Sequence, residues 1–238
     1  MSMFDNLLPS HTDYTRFIIL CRPRTGSTLL EQMLGRHPQI RSRGEFFSRL
    51  KGRDPSVVWD RMFAKAPRRI RASGFKIHYN HPIDADHTGT WDFLASKPDL
   101  HVIHVRRENI LRMLVSGRIS RKLKTYNIRF PWQRPPLRKR RVIIEHEELT
   151  RVIQATEGSY RHFSGLFAGQ ANVEVTYEQL LGRPREEYRR ILDFLGLEYQ
   201  DPVLRLAIMN PEPLPELITN FDELRSHFTG TNWSWMFD

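Results

Sequence analysis

The chain has a single cysteine, and it has neither a long apolar run nor an internal repeat. Cys21 is the only thiol among 238 residues, so an intrachain disulfide is excluded and a reducing compartment is the natural environment. Its position at the end of an apolar run suggests interior packing. No apolar stretch approaches the ~18 residues that a transmembrane helix needs. Residues 1–15 lack a charged start followed by an apolar run, so no signal peptide is expected and we predict a cytoplasmic location.

The length and composition fit one α/β domain. Of the 238 residues, 39% are hydrophobic, and the usual prior of ~150 residues per domain does not force a division. Helical patterns follow predicted strands at residues 28–34, 57–64, 109–123 and 185–195. This alternation predicts a mostly parallel central sheet with helices on both faces. Phosphate sites would then lie at the carboxyl ends of the strands.

An anion-binding turn is predicted where the apolar strand Phe17–Cys21 runs into a small, basic, hydroxyl-rich segment that opens a helix. Gly26 allows close backbone approach, and Ser27 and Thr28 add hydroxyl donors. The turn is not a Walker A loop, because Ser27 stands where that motif has lysine. The nearby charge is Arg24, whose planar guanidinium can clamp a phosphate or sulfate oxygen.

A second predicted strand ends in a comparable basic turn. Residues 100–105 form an apolar strand pattern that runs into Arg106 and Arg107, and then into a helical pattern closed by Ser116. Adjacent side chains after a strand point to opposite sides, so one arginine can face a ligand and the other a carboxylate or solvent. The alternative is an ordinary α/β junction with surface arginines. Two such strand–turn–helix sites in one chain argue against coincidence.

The segment R-P-R-T-G-S-T-L-L at residues 22–30 resembles the 5′-phosphosulfate loop of sulfotransferases that use 3′-phosphoadenosine 5′-phosphosulfate (PAPS). It is most similar to the bacterial carbohydrate and glycolipid branch, of the Nod-factor and trehalose type. Arg107 and Ser116 match that branch's 3′-phosphate site, and Arg107 aligns better than Arg106. The resemblance implies a P-loop-like three-layer fold and a single sulfotransferase domain over residues 1–238. It also implies transfer of the PAPS sulfuryl group to a hydroxyl, on a carbohydrate or glycolipid.

A catalytic carboxylate is predicted at Glu45, in the segment R-S-R-G-E-F-F. Sulfuryl transfer to a hydroxyl needs a base for the alcohol proton. Related carbohydrate sulfotransferases carry their base in a similar turn at this distance from the loop. The alternative is a surface glutamate paired with Arg41 or Arg43. The adjacent phenylalanines favour an apolar setting that would keep the carboxylate basic, whereas the nearby arginines would lower its pKa.

Lys76 and His78 share one face of a predicted strand at residues 73–79. Lys76 could contact the bridging oxygen or the acceptor. His78 could assist proton transfer, or replace Glu45 as the base. No metal is expected, because His78 and His81 have no convincing cysteine or carboxylate partner in the sequence.

The remaining donor-binding candidates come from the resemblance. A Tyr-Glu-x-Leu turn after a late strand suggests Tyr177, and a loose match at residues 228–233 suggests Gly230 and Thr231 in a loop that covers the nucleotide. The complete predicted donor-binding set is Arg22, Arg24, Thr25, Gly26, Ser27, Thr28, Arg107, Ser116, Tyr177, Gly230 and Thr231.

Positive charge dominates the middle of the chain. There are 37 Lys and Arg against 27 Asp and Glu, for a net charge of +10, and much of the excess falls between Arg118 and Arg141. A basic, proline-containing insertion around residues 124–145 is predicted to border the acceptor pocket. Its charge would attract an anionic glycolipid, or allow peripheral association with an anionic membrane surface. A solvated face is the alternative.

Two other classes share parts of this pattern. A P-loop-like nucleotide-binding kinase would have the same strand–loop–helix start, but it needs the lysine that Ser27 replaces. A basic nucleic-acid-binding protein would explain the charge. It also predicts aromatics interleaved with basic residues, and only Phe130 and Trp132 come near that pattern. No nucleic acid is therefore expected as a partner.

Overall fold

Strands and helices alternate along the residues that the computed structural model describes, which are 10–85, 87–202 and 207–238. The strands are β1 (Ser10–His11), β2 (Thr15–Cys21), β3 (Ile40–Ser42), β4 (Ala66–Pro67), β5 (Ala72–His78), β6 (Leu100–Arg106) and β7 (Asn172–Thr176). The helices are α1 (Ser27–Leu34), α2 (Pro55–Met62), α3 (His87–Ala95), α4 (Ile110–Leu123), α5 (Leu137–Arg140), α6 (His146–Leu166), α7 (Tyr177–Gly182), α8 (Pro184–Phe194), α9 (Leu214–Leu217) and α10 (Phe221–Phe228). Short 3-10 helices cover Pro131–Gln133 and Ser234–Phe237.

The chain divides into two compact units. The first comprises the described residues up to Arg106 together with residues 162–202, and the second comprises residues 107–161 and 207–238. The first unit contains all seven strands, including a small antiparallel pair formed by β1 and β4.

Five parallel strands form the central sheet of the first unit, in the order β3-β5-β2-β6-β7. β2 pairs with β5 so that Cys21 lies opposite His78, and with β6 so that Cys21 lies opposite Val105. The parallel sheet predicted from the sequence is therefore confirmed. Because its strands point the same way, the turns that follow β2, β3 and β5 emerge at one edge.

Both faces of this sheet are apolar, as expected for parallel strands covered on two sides. Ile18 and Leu20 of β2 belong to one buried cluster, with α2 and α3, while Phe17, Ile19 and Cys21 belong to another, with α1 and α8. The predicted helices on both faces are thus present. Cys21 is fully buried, and burial raises the pKa of its thiol to about 12.

The predicted helices form, with small shifts at their ends. α2 begins two residues earlier than predicted, because Pro55 suits the first position and Asp54 Oδ1 accepts a hydrogen bond from the Ser56 N–H at 2.8 Å. Asn109 caps α4 in the same way, accepting from the Arg112 N–H at 2.8 Å. Within the described ranges, no helix is both long and apolar enough to span a membrane.

The second unit is helical and has its own apolar cluster. That cluster draws on α4, α6, α9, α10 and the 3-10 helix at Ser234–Phe237. Arg140 of α5 is buried in this unit, where its guanidinium forms an ion pair with Glu212. Its charge is therefore satisfied inside the protein.

Gly74 provides a test of the packing between β5 and β2. A Cβ at this position would overlap the Phe17 backbone oxygen and ring, so Gly74→Ala should destabilise the protein by about 1–3 kcal/mol, the range for overpacking. Gly158→Ala is the matched control, because a Cβ there meets nothing within 4 Å and alanine favours the helix. Urea unfolding measures both variants. Equal stability of the two variants would contradict the packing.

Candidate active site

The turn after β2 has the backbone that an anion-binding loop requires. Arg24 and Gly26 have φ of +70° and +81°, and α1 begins at the next residue, Ser27. Because Gly26 caps the helix, it brings no side-chain acceptor to the first-turn N–H groups, which are the groups that bind anions. The Thr25 hydroxyl donates to the Arg22 backbone oxygen at 2.8 Å, which closes the turn.

Tyr177, the first residue of α7, packs directly against this turn. A Cβ on Gly26 would overlap the Tyr177 ring, so the position requires glycine for space as well as for its positive φ. Tyr177 therefore lies against the turn after β2, whose residues belong to the same predicted donor-binding set.

Glu45 is brought to the same edge by backbone pairing beyond the end of β3. The Arg43 N–H donates to the Gly74 oxygen at 3.0 Å, and the Lys76 N–H donates to the Gly44 oxygen at 2.7 Å. The segment after β3 therefore continues alongside β5. As a result, Glu45 Oε1 lies 3.3 Å from Lys76 Nζ.

Lys76 connects this turn with α1. Its Nζ lies 2.9 Å from Glu31 Oε2 and donates to Thr28 Oγ1 at 3.3 Å, while the residue is only 5% exposed. Burial lowers the pKa of Lys76, but Glu31 and Glu45 raise it more, and the net shift is upward. The ammonium therefore stays charged, with a carboxylate on either side.

Glu45 also faces two histidines. His78 Nε2 lies 3.8 Å from Glu45 Oε1, and His81 Nε2 lies 3.8 Å from Glu45 Oε2. The expectation that these histidines have no carboxylate partner is wrong, because the turns after β3 and β5 converge. The His78 backbone N–H donates to His81 Nδ1 at 3.3 Å, so a neutral His81 ring carries its proton on Nε2, toward the carboxylate.

The potential ligand atoms of Glu45, His78 and His81 lie within 4.8 Å of one another, a spacing that a metal ion could bridge. Two features oppose metal binding. The Lys76 ammonium already lies against Glu45 Oε1, and the proton of neutral His81 is on Nε2, which would have to coordinate.

The pKa of Glu45 is shifted by cationic neighbours that the sequence did not place beside it. Burial raises its pKa, but His78, Lys76 and His81 lower it, and the net shift is downward. The expectation that an apolar setting keeps this carboxylate basic is therefore wrong. Pairing with a neighbouring arginine is also not found, since the Arg41 guanidinium donates to Ser73 Oγ, Tyr14 OH and the Ala64 oxygen. The Arg43 guanidinium lies over the Phe46 ring, 6.0 Å from its centroid.

The two adjacent arginines after β6 have different surroundings. Arg106 forms an ion pair with Glu174 at 2.9 Å and donates to Ser164 Oγ at 2.6 Å. It is therefore the neighbour that faces a carboxylate. The Arg107 backbone N–H donates to Tyr160 OH at 3.2 Å, and Ser116 is buried in α4, in the same second unit as Arg107.

Gly230 and Thr231 lie at the end of α10, also in the second unit. Gly230 has a φ of +77°, and the Thr231 hydroxyl donates to the Phe228 oxygen at 2.7 Å. These residues form a helix-terminating turn, and their role in covering a nucleotide stays a prediction.

The sequence does not reveal two residues of the cluster. Glu31 falls within the predicted first helix, one turn beyond Thr28, from where it can reach the same neighbour. The carboxylate partner of His81 comes from a distant segment of the chain. The spacing of His78 and His81 was the signal available for the second residue.

Comparisons with known proteins agree with this architecture. The family model described as "Sulfotransferase family" matches residues 16–97 and 92–201, so the chain belongs to the sulfotransferase family. It is 27% identical to nodulation protein H of Rhizobium meliloti strain 1021, over 93% of this chain and 94% of that protein. Nodulation protein H of Rhizobium tropici is also 27% identical, over 93% and 92%.

A solved structure supports the fold. The crystal structure of a sulfotransferase from Alicyclobacillus acidocaldarius has a TM-score of 0.55 and 19% identity, over 89% of this chain and 90% of that one. The predicted P-loop-like α/β fold is confirmed.

The protonation of His78 tests the electrostatics of the cluster. Burial lowers the pKa of His78 from 6.5 to about 4, and Glu45 partly opposes that shift. The ring should therefore be neutral at pH 7, and Glu45→Gln should lower its pKa further by removing the carboxylate. ¹⁵N NMR titration of the histidine rings measures both values. A His78 midpoint near 6.5 in the unmodified protein, or an upward shift in the variant, would show that the cluster is wrongly assembled.

Proposed function

We propose that this sulfotransferase transfers the sulfuryl group of PAPS to an acceptor hydroxyl on a carbohydrate or glycolipid. The observation that carries the proposal is the meeting of the turn after β2 with Glu45 and Lys76, at the carboxyl edge of neighbouring strands. This combines an anion-binding loop, a carboxylate and a fixed cation. Family membership supports the reaction class.

In the proposed donor site, the turn binds the 5′-phosphosulfate and a second group of residues binds the 3′-phosphate. Arg24 and the N–H and hydroxyl groups of residues 25–28 would contact the 5′ end, with Arg22 and Tyr177 shaping the loop. Arg107 and Ser116 would bind the 3′-phosphate, since Arg106 is engaged by Glu174. Gly230 and Thr231 would lie over the nucleotide. We propose that both units act as one sulfotransferase domain.

In the proposed reaction, the acceptor oxygen attacks sulfur while Glu45 takes the hydroxyl proton. The new O–S bond forms as the bond from sulfur to the 5′-phosphate oxygen breaks, and 3′-phosphoadenosine 5′-phosphate (PAP) leaves. Arg24 and Lys76 meet the charge that develops on the leaving phosphate, a stabilisation that is usually large. The lowered pKa of Glu45 keeps it ionised, and thus able to accept a proton, at neutral pH.

Two observations support a carbohydrate or glycolipid acceptor. They are the similarity of residues 22–30 to carbohydrate and glycolipid sulfotransferases, and the relatives named nodulation protein H. A kinase is disfavoured, because Ser27 stands at the Walker lysine position. Lys76 reaches Thr28 from a different strand, so it does not restore that motif.

Donor recognition is tested at the two adjacent arginines. We expect calorimetry to show that PAP binds more tightly than ADP or ATP. Arg107→Ala should weaken the binding of PAP by ~2 to 5 kcal/mol, the range for breaking a buried charged pair. Adenosine 5′-phosphosulfate lacks the 3′-phosphate, so its binding should change far less. Arg106→Ala is the matched control, and a larger selective loss there would show that Arg106 binds the 3′-phosphate.

The base is tested at Glu45. Glu45→Gln keeps the shape but cannot take a proton, so turnover should fall by ~10² to 10⁴ while PAP affinity stays nearly unchanged. Labelled PAPS and a panel of sugars and glycolipids identify an acceptor for the assay. Near-full turnover in the variant would leave Glu45 as a structural partner of Lys76 and make His78 the leading base.

A further inference from the structure

The net positive charge of the chain comes from one segment. Residues 109–144 contain eleven Lys and Arg and no Asp or Glu, whereas the rest of the chain has 26 Lys and Arg against 27 Asp and Glu. The segment lies within the second unit and covers α4, α5 and the connection between them. A single region therefore accounts for the basic character of the protein.

Five of these eleven cations line a surface groove of the second unit. The groove has a volume of about 730 Å³ and combines five basic side chains with two aliphatic ones. Its lining residues are Arg118, Arg121, Lys122, Arg138, Arg141, Val142, Ile143 and Thr219. Closely spaced guanidinium and ammonium groups of this kind bind phosphate oxygens.

Protein partners neutralise only part of this charge. Arg118 forms an ion pair with Glu148, and Lys122 Nζ donates to the Arg141 backbone oxygen at 2.8 Å. The groove's three other cations are exposed and form no ion pair with any carboxylate in the described residues: Arg121, Arg138 and Arg141. The groove thus presents a net positive surface to solvent.

Exposed apolar side chains lie in the groove and in the connection between α4 and α5. Trp132 is 77% exposed and stacks on Phe130, with ring centroids 4.4 Å apart and planes 4° apart. Both belong to the connection between α4 and α5, and these two helices supply four of the groove's five cations. Ile143, in the groove itself, is 58% exposed. The groove and the connection between its two helices therefore both present apolar groups to solvent.

We propose that this surface, defined by the groove and the Phe130–Trp132 pair, binds the anionic face of a lipid bilayer. The cations would bind lipid phosphates, while tryptophan and the aliphatic groups enter the interfacial region that such side chains favour. Arg129, whose guanidinium lies 5.8 Å from the Phe130 ring centroid, can reach the headgroups from the same place. The proposal does not depend on the reaction that the protein catalyses.

A nucleic acid fits the surface less well. Single strands bind where aromatic faces are open for base stacking, but Phe130 and Trp132 cover one face of each other. A phosphate backbone would not bury the exposed apolar side chain of Ile143. A bilayer uses both the charges and the apolar groups.

Vesicle co-sedimentation tests the proposal. The full chain is mixed with vesicles of phosphatidylcholine alone, or of phosphatidylcholine with phosphatidylglycerol at a ratio of about 7:3, in physiological salt. We expect binding at least ~10-fold tighter to the anionic vesicles, and weakened ~10-fold or more by Arg138→Glu with Arg141→Glu. The matched control is Lys65→Glu with Arg68→Glu, two exposed residues of the first unit that give the same charge change. The control should bind within about twofold of the unmodified protein.

Trp132→Ala leaves the charge unchanged and should weaken vesicle binding several-fold, which separates lipid insertion from simple attraction. Unchanged thermal melting confirms that each variant is folded. Equal losses in the groove and control variants would overturn the proposal. Full competition by soluble glycerol phosphate would identify a free-phosphate site instead. A single-stranded RNA that binds more tightly than the vesicles would assign the surface to nucleic acid.

Discussion

A buried ammonium between two carboxylates holds the candidate active site together. Lys76 on β5 contacts Glu31 and Thr28 on α1 and Glu45 in the turn after β3, so one charge joins three elements. Because Lys76 is only 5% exposed, loss of either carboxylate would leave its ammonium with less compensation inside the protein. The position of α1, and with it the anion-binding turn, is therefore coupled to the position of the proposed base.

The same cluster sets the protonation of the site. Three groups that are cationic or can become cationic surround Glu45 and lower its pKa, although burial acts in the opposite direction. His78 has a pKa lowered to about 4, so the cluster at neutral pH contains a carboxylate, an ammonium and a neutral imidazole. A fixed cation beside a carboxylate allows proton transfer and stabilisation of a leaving phosphate to occur side by side.

Charged residues are arranged differently in the two units. The first unit groups its site charges around the buried Lys76, which has Glu31 and Glu45 as partners, whereas residues 109–144 of the second unit carry eleven Lys and Arg and no Asp or Glu. Some of those cations are satisfied internally, as in the pair formed by Arg140 and Glu212. Five others line one groove, and the connection between α4 and α5 exposes aromatic rings. In the first unit, charges act on one another at short range and set the protonation of the candidate site. In the second unit, the proposed role of the charges is to attract an anionic bilayer over a longer range.

The sequence by itself determined the parallel sheet, α1, α2, α4, α8 and the turn at residues 22–28, because periodicity, capping and glycine act over a few neighbouring residues. It also indicated that Arg106 and Arg107 have different surroundings, since adjacent side chains diverge. It did not indicate α6, the 21-residue helix at His146–Leu166. Only the tertiary structure decided which charges meet. β3 pairs with β5, so the turn carrying Glu45 lies beside Lys76, His78 and His81, and an arginine neighbour in sequence is not its partner. The pKa of Glu45 follows from those partners, because Coulomb interactions depend on distance in space and not on separation along the chain.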